Sequence, residues 1–310
     1  MAAIVQVNDL CKQYKNATAA VSNLSFTVNQ GDVYGFLGQN GAGKSTTIRM
    51  LLSLISPTSG DITMFGKKLS THRSDILKQV GAVIEKPDLY KYLTAYDNLA
   101  IFAKMSGLKI TKALVMDQLQ MVGLHDRAHS KVKDFSQGMK QRLGIAVALI
   151  HNPNLVILDE PTNGLDPQGI ADIRNLILRL SKELHKTVII SSHLLSEIEV
   201  IANRMIIIHK GKKIVEGVVN ELLDPAHTVI DIQAVNQADA VQKLQASCWA
   251  SNVQQSNKLQ LMLNKNAIPT LIQDCVAMQI ELQGIHTSHS LENYFLSLTT
   301  QQGHVDPFTN

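Results

Sequence analysis

The hydrophobic period changes several times along the chain. Residues 4–7, 20–28 and 32–37 alternate apolar and polar positions between Asn, Gln and Gly turns, and are expected as strands. Residues 44–55 take a helical run opening directly after glycines, and 60–66 read as another strand bounded by turn residues. Across 94–150 the spacing is mostly helical, as at Leu114, Leu119, Val122 and Leu124, with loops near 107–110 and 125–134. Short continuous apolar runs follow at 155–158, 187–190 and 205–208. Separated by helices, they have the pattern of buried parallel strands. The rest of the chain alternates again. Strands are expected at 229–232, 259–263 and 280–282, with helices at 237–244, 268–278 and 290–298, as in a small α+β unit of ferredoxin-like kind.

Composition narrows the classes. The 310 residues are 45% hydrophobic, with a mean hydropathy of +0.03, enough for about two domains of ~100–200 residues each. Intrinsic disorder is excluded. No apolar run approaches the ~18–20 residues of a membrane-spanning helix. The first residues lack a basic region followed by an apolar stretch and a cleavage site, so no signal peptide is expected. Cys11, Cys248 and Cys275 form no C-x-x-C pair and are expected as reduced cytosolic thiols. A net charge of +3 is too slight to name a nucleic-acid or lipid partner. That charge is unevenly spread. Beyond residue 225 only Lys243, Lys258 and Lys265 face Asp231, Asp239, Asp274, Glu281, Glu292 and Asp306, in a stretch dense in glutamine. The shift predicts a boundary there, with domains 1–224 and 225–310.

Two short segments carry chemistry. Gly38-Gln-Asn-Gly-Ala-Gly-Lys-Ser45 fits the phosphate-loop pattern between a strand and a helix. Gly38, Gly41 and Gly43, with Asn40 and Thr46 in the same turn, let backbone N–H groups converge on phosphate oxygens, and the helix N-terminus adds positive potential. Lys44 would contact the β- and γ-phosphates, and Ser45 would ligate Mg²⁺. Further on, Leu155-Val-Ile-Leu-Asp-Glu-Pro161 ends an apolar strand in two acids. Asp159 is placed to hold Mg²⁺ and Glu160 to polarise an attacking water, which together imply hydrolysis.

Between and beyond those segments lie Asp134-Phe-Ser-Gln-Gly-Met-Lys-Gln-Arg-Leu143, Asn163-Gly-Leu-Asp-Pro167 and Ser191-Ser-His193. With them the chain resembles, over roughly residues 3–222, the nucleotide-binding subunit of an ATP-binding cassette (ABC) transporter. The resemblance implies an α/β P-loop core with an antiparallel β-subdomain and a helical subdomain at about 90–150, plus the small C-terminal α+β domain. It implies ATP and Mg²⁺ as ligands and a head-to-tail pair of two copies of the chain when ATP is bound. Ser136 and Gly138 would then touch the partner-bound γ-phosphate, and Asp166 would belong to the loop linking the two sites. His193 would contact the γ-phosphate as a switch, and Tyr14 would stack on adenine, although a flat strand-surface tyrosine is the alternative.

Two departures stand out. The signature ends in Met139 where the family has Gln, and Glu85, in Gly81-Ala-Val-Ile-Glu-Lys-Pro87, replaces a usual Gln. A carboxylate there can approach Mg²⁺ but adds negative charge near the phosphates, and neutral drift is the alternative. Glu85 followed by Pro87 and Tyr90 resembles the bacitracin-resistance and lantibiotic-immunity exporters. The resemblance therefore implies an export motor on the inner face of the cell membrane, acting on separate transmembrane permease subunits that dock near residues 80–105. No nucleic-acid partner is expected. A mechanical ATPase acting on nucleic acid or ribosomes, and a catalytically silent cassette, are the competing readings.

Overall fold

The computed structural model describes residues 2–15, 19–223, 228–254 and 259–289. The chain divides into two compact units, Met1–Gly217 and Val218–Asn310. The expected 224/225 boundary lies outside the described residues, just beyond this division.

The first unit opens with two long strands, β1 (Ala3–Gln13) and β2 (Ala19–Asn29), paired antiparallel. β3 (Val33–Gly38) is buried throughout and passes through the glycine loop into α1 (Lys44–Leu51). The helical run expected to residue 55 ends earlier, because Ser53 turns to a φ of 53° and breaks the backbone ladder. β4 (Ser59–Met64) returns to β1 and carries the short β5 (Lys67–Lys68), giving an antiparallel sheet in the order β2-β1-β4-β5.

A short helix α2 (Arg73–Leu77) leads to β6 (Val80–Val83), a strand the apolar pattern did not reveal. The helices α3 (Ala95–Met105), α4 (Lys112–Met121) and α5 (Gln137–Leu149) then pack on one another. Each begins at a hydroxyl cap, Thr94, Thr111 or Ser136, which accepts a hydrogen bond from a first-turn N–H and satisfies an otherwise orphaned donor. Thr94 and Asp97 complete a capping box.

β7 (Leu155–Asp159), α6 (Pro167–Lys182), β8 (Thr187–Ser192), α7 (Leu195–Ile201), β9 (Arg204–His209) and β10 (Lys212–Val218) finish the unit. The three apolar runs expected as buried strands are β7, β8 and β9. They join β3 and β6 in parallel, within a six-stranded sheet ordered β10-β9-β3-β8-β7-β6. Every residue of β7 and β8 is buried, as covering on both faces requires.

A partly buried polar network ties three strands of this sheet together. Arg204 reaches Asp32 at 3.2 Å and Glu216 at 3.7 Å, and Tyr34 donates its hydroxyl to Glu216 at 2.8 Å. Burial first, and then the Glu216 carboxylate, push the Tyr34 hydroxyl well above its usual 10.0.

The sheet meets the helical subdomain where β6 packs on α5. A Cβ at Gly81 would collide with the Ala148 carbonyl and lie 2.9 Å from Pro153 Cγ. Gly81→Ala is therefore expected to lower stability by about 1–3 kcal/mol through overpacking. Thermal denaturation checks this, and a wild-type midpoint would refute it.

In the second unit a short helix α8 (Val219–Leu222) precedes β11 (Thr228–Ala234), α9 (Gln237–Gln245), β12 (Val253–Gln254), β13 (Gln260–Leu263), α10 (Ile268–Ala277) and β14 (Leu282–His289). From β11 onward this is the β-α-β-β-α-β succession, with an antiparallel sheet ordered β12-β13-β11-β14; this is the ferredoxin-like kind expected, but the two-residue β12 was not among the expected strands. One expectation is corrected. The strand placed at 280–282 begins only at Leu282 and runs to His289. Ile280 is a buried core residue after the α10 turn, and polar Gln283, His286 and Thr287 masked the strand that follows. The closing helix expected at 290–298 lies outside the described residues.

Candidate functional site

The glycine loop gains its shape from backbone that tolerates no side chain. Gly43 sits at a φ of 104°, and a Cβ there would lie 2.6 Å from the Ala20 carbonyl oxygen. As the N-cap of α1 it offers no side-chain acceptor, which leaves the first N–H groups of the helix free to receive an anion. A cavity of about 340 Å³ lies over this loop, lined by Gln39, Asn40, Gly41, Gly43, Lys44, Ser45, Thr46 and Glu160. Lys44 is only 5% exposed. Its ammonium donates to the carbonyl oxygens of Gly38 at 2.5 Å and Gln39 at 3.1 Å.

Across the cavity stands Glu160. Its Oε1 lies 3.0 Å from Lys44 Nζ, a charge contact without hydrogen-bond alignment. Its Oε2 is 2.8 Å from His193 Nδ1. Lys44, Glu160 and His193 thus form one line from the end of β3 to the end of β8. Glu160 holds a φ of 49°, a region that side chains rarely occupy and that marks functional turns. Its N–H donates to Ser191 Oγ at 2.8 Å, and that hydroxyl donates in turn to Asp159 Oδ1 at 2.5 Å. Ser191 therefore fixes both acids from the neighbouring strand.

Asp159 is 1% exposed, and its Oδ2 is buried without a hydrogen-bond partner. Such an orphaned carboxylate oxygen suits a cation. A second cavity, of about 530 Å³, brings Asp159 together with Ser45, Glu85, Lys86, Gln137, Gln141, Glu160 and Asn163. Glu85 lines it, but its carboxylate is engaged by Arg49 Nη2 at 2.5 Å and its side chain is 64% exposed.

The sequence-predicted residues fall into two groups. Asn40, Gly41, Gly43, Lys44, Ser45, Thr46, Asp159 and Glu160 gather around the two cavities, Gly38 supplies a carbonyl to Lys44, and His193 joins through Glu160. Ser136, Gly138 and Asp166 stand at the starts of α5 and α6. Ser136 Oγ accepts from Met139 N, and Asp166 Oδ1 accepts from Gly169 N, so both are also helix caps. Tyr14 is 41% exposed and is absent from both cavity linings, with Lys12 Nζ 5.3 Å from its ring centre. Arg49, Gln137, Gln141, Ser191 and Glu197 escaped sequence reasoning. Gln137, Gln141 and Ser191 stood inside quoted motifs, and Arg49 and Glu197 carried no local signal.

The comparisons with known proteins bear on this geometry. Residues 21–163 match the family profile described as ABC transporter. The chain is 40% identical over 301 residues to an ABC transporter ATP-binding protein of Bacillus subtilis, YhcH, covering 96% of this chain and 97% of that one. The chain belongs to the ABC transporter ATP-binding proteins. It is an ATPase, the ATP-hydrolysing subunit of such a transporter. The bacitracin transport ATP-binding protein BcrA of Bacillus licheniformis is 48% identical over 241 residues, 78% of each chain. The lantibiotic transport ATP-binding protein SrtF of Streptococcus pyogenes is 44% identical over 213 residues, 69% of this chain and 90% of that one.

Among solved structures, a dimeric post-hydrolysis state of the cassette MJ0796 with ADP and phosphate superposes with a TM-score of 0.63 at 25% identity. It covers 69% of this chain and 98% of that one. The cassette fold also matches cbiO1 of Clostridium perfringens, with a TM-score of 0.66 over 80% of this chain and 96% of that one. No helix among the described residues of this cassette is long and apolar enough to cross a membrane.

Proposed function

We propose that this cassette powers an exporter of a drug, peptide antibiotic or bacteriocin-like substrate, as a head-to-tail pair acting on separate membrane-spanning subunits. The observation that carries its catalytic part is the line Lys44–Glu160–His193 across the glycine loop. The arriving phosphates compete with Glu160 for Lys44. Once Lys44 turns to the β- and γ-phosphates, Oε1 of Glu160 is released to accept a proton from the attacking water. His193, held on the other carboxylate oxygen, is placed to contact the γ-phosphate.

Ser45 and Asp159 would hold Mg²⁺, which would supply charge neutralisation at the phosphates. The unpartnered Oδ2 of Asp159 fits that role, and Glu85 joins the set only on leaving Arg49. Ser136 and Gly138 of one copy would meet the γ-phosphate held by the other, with Asp166 in the loop between the sites and Tyr14 against the adenine. ATP shared in this way favours a closed pair, and hydrolysis releases it.

The cargo reading rests on the likeness to BcrA and SrtF. A cavity of about 560 Å³ supports a docking cleft. Arg73, Ser74, Leu77, Lys78, Val80, Ser106, Leu108 and His151 line it, so that it borders the expected 80–105 region and enters it only at Val80. The membrane subunits would hold the cassette at the inner face of the cell membrane.

Affinity purification of the tagged chain from detergent-solubilised membranes tests the reading. It should bring down an integral membrane subunit, and deleting the gene should sensitise cells to a peptide antibiotic. Co-purification with ribosomes would overturn it.

A further inference from the structure

Besides the Ser191 hydroxyl that holds Asp159 and Glu160, the ends of β7 and β8 are joined at two further places. At the site itself His193 and Glu160 share the 2.8 Å contact. Behind it, Glu197 Oε2, from α7, accepts hydrogen bonds from Thr162 Oγ1 at 2.9 Å and from Ser192 Oγ at 2.6 Å. Thr162 follows Glu160 by two residues, and Ser192 immediately precedes His193. Thr162 is 7% exposed and Ser192 0%, so both hydroxyls are withdrawn from water. Ser192 Oγ also accepts from Leu194 N at 3.0 Å, which leaves its single proton to point at Glu197.

We infer that Glu197 is a positioning residue for ATP hydrolysis: it clamps the turn bearing Glu160 to the loop bearing His193. The inference rests on the reading of Glu160 as the group that polarises the attacking water. The two hydroxyl contacts close a ring through Glu160, Thr162, Glu197, Ser192 and His193. The Thr162–Glu197–Ser192 part of that ring links the two site residues without using either of their side chains. A water-activating carboxylate in a turn at positive φ needs such an anchor, because its own backbone does not favour the conformation it holds. Thr162, Glu197 and Ser192 line neither cavity beside the glycine loop, so the clamp is expected to act on the chemical step more than on ATP binding. Both hydroxyls donate to one oxygen, so a neutral carbonyl can serve in place of the carboxylate.

Steady-state hydrolysis by the purified full-length chain tests this. Glu197→Ala should lower kcat by ~10- to 100-fold through misplacement of Glu160, with the KM for ATP unchanged. Glu197→Gln should recover most of the loss. Thr162→Val should lower kcat, and adding it to Glu197→Ala should lower it no further, as for members of one network. Wild-type kcat in Glu197→Ala, equal damage from Gln and Ala, or a change confined to KM would overturn the assignment. A thermal melt shows whether Glu197→Ala folds. Where it does not, Thr162→Val decides, and a normal kcat there overturns the proposal. Glu160→Gln, assayed in parallel, separates the two readings. If that variant still hydrolyses ATP, the role of Glu160 fails. If it is inactive while Glu197→Ala turns over normally, only the clamp fails.

Discussion

Glu160→Gln is expected to reduce kcat by at least ~10²-fold while the protein retains ATP. The amide matches the carboxylate in size and can keep the same turn, so the fold at φ 49° is undisturbed. What disappears is the acceptor for the water proton. ATP binding should tighten as well. Lys44 lies 3.0 Å from Glu160 Oε1, and the incoming phosphates must draw the ammonium away from that charge. A neutral side chain removes the competition. Steady-state hydrolysis measures the first effect and nucleotide retention during gel filtration the second. The same columns report whether the ATP-bound variant migrates as a pair. Unchanged turnover would remove the assigned role of Glu160, and weaker ATP binding would contradict the competition.

Lys44→Met is expected to weaken ATP binding by ~10- to 100-fold, the equivalent of losing charge-assisted contacts worth about 1.5–3 kcal/mol. Methionine keeps much of the buried stem but none of the donors. The loss reaches the protein's own contacts too. The Gly38 and Gln39 carbonyls lose their shared donor, and Glu160 Oε1 is left facing no cation. A thermal midpoint below that of the parent should therefore accompany the binding defect. Equilibrium dialysis with ATP and a thermal melt without nucleotide separate the two consequences. Unaltered ATP affinity would mean that the cavity over the glycine loop is not where the phosphates sit.

These variants also distinguish substrate binding from chemistry. Lys44→Met should act before hydrolysis and Glu160→Gln after ATP has bound, although the two side chains touch. Glu197 stands apart from both. It contacts neither the phosphate cavity nor the water-activating oxygen, and its effect is expected on kcat alone.

Much of the architecture was legible because it is written locally. A glycine at φ 104°, a hydroxyl before a first helical turn and a run of apolar residues long enough for a buried strand all depend on near neighbours in the chain. Contiguous chemistry placed Lys44, Ser45, Asp159 and Glu160 in the right elements. The ferredoxin-like kind of the second unit was legible for the same reason, but the two-residue β12 was too short to show a period. Its final strand was misplaced because an edge strand with polar alternate positions carries little periodic signal.

The pairings that organise the site were of another kind. Arg49 and Glu85, Ser191 and Asp159, and Thr162 and Glu197 are all far apart in sequence. The last two pairs meet because β7 and β8 are neighbours in the sheet. Hydrophobic period specifies that a segment is a buried strand but not which strand lies beside it, since the lateral order is chosen by packing across the whole sheet. By itself the sequence determined a phosphate loop, a pair of acids at a strand end and two successive domains. Tertiary structure alone decided that Lys44 and His193 share one carboxylate, that Arg49 occupies Glu85, and that Glu197 closes the ring behind them. Those contacts depend on strand order, which no local pattern encodes.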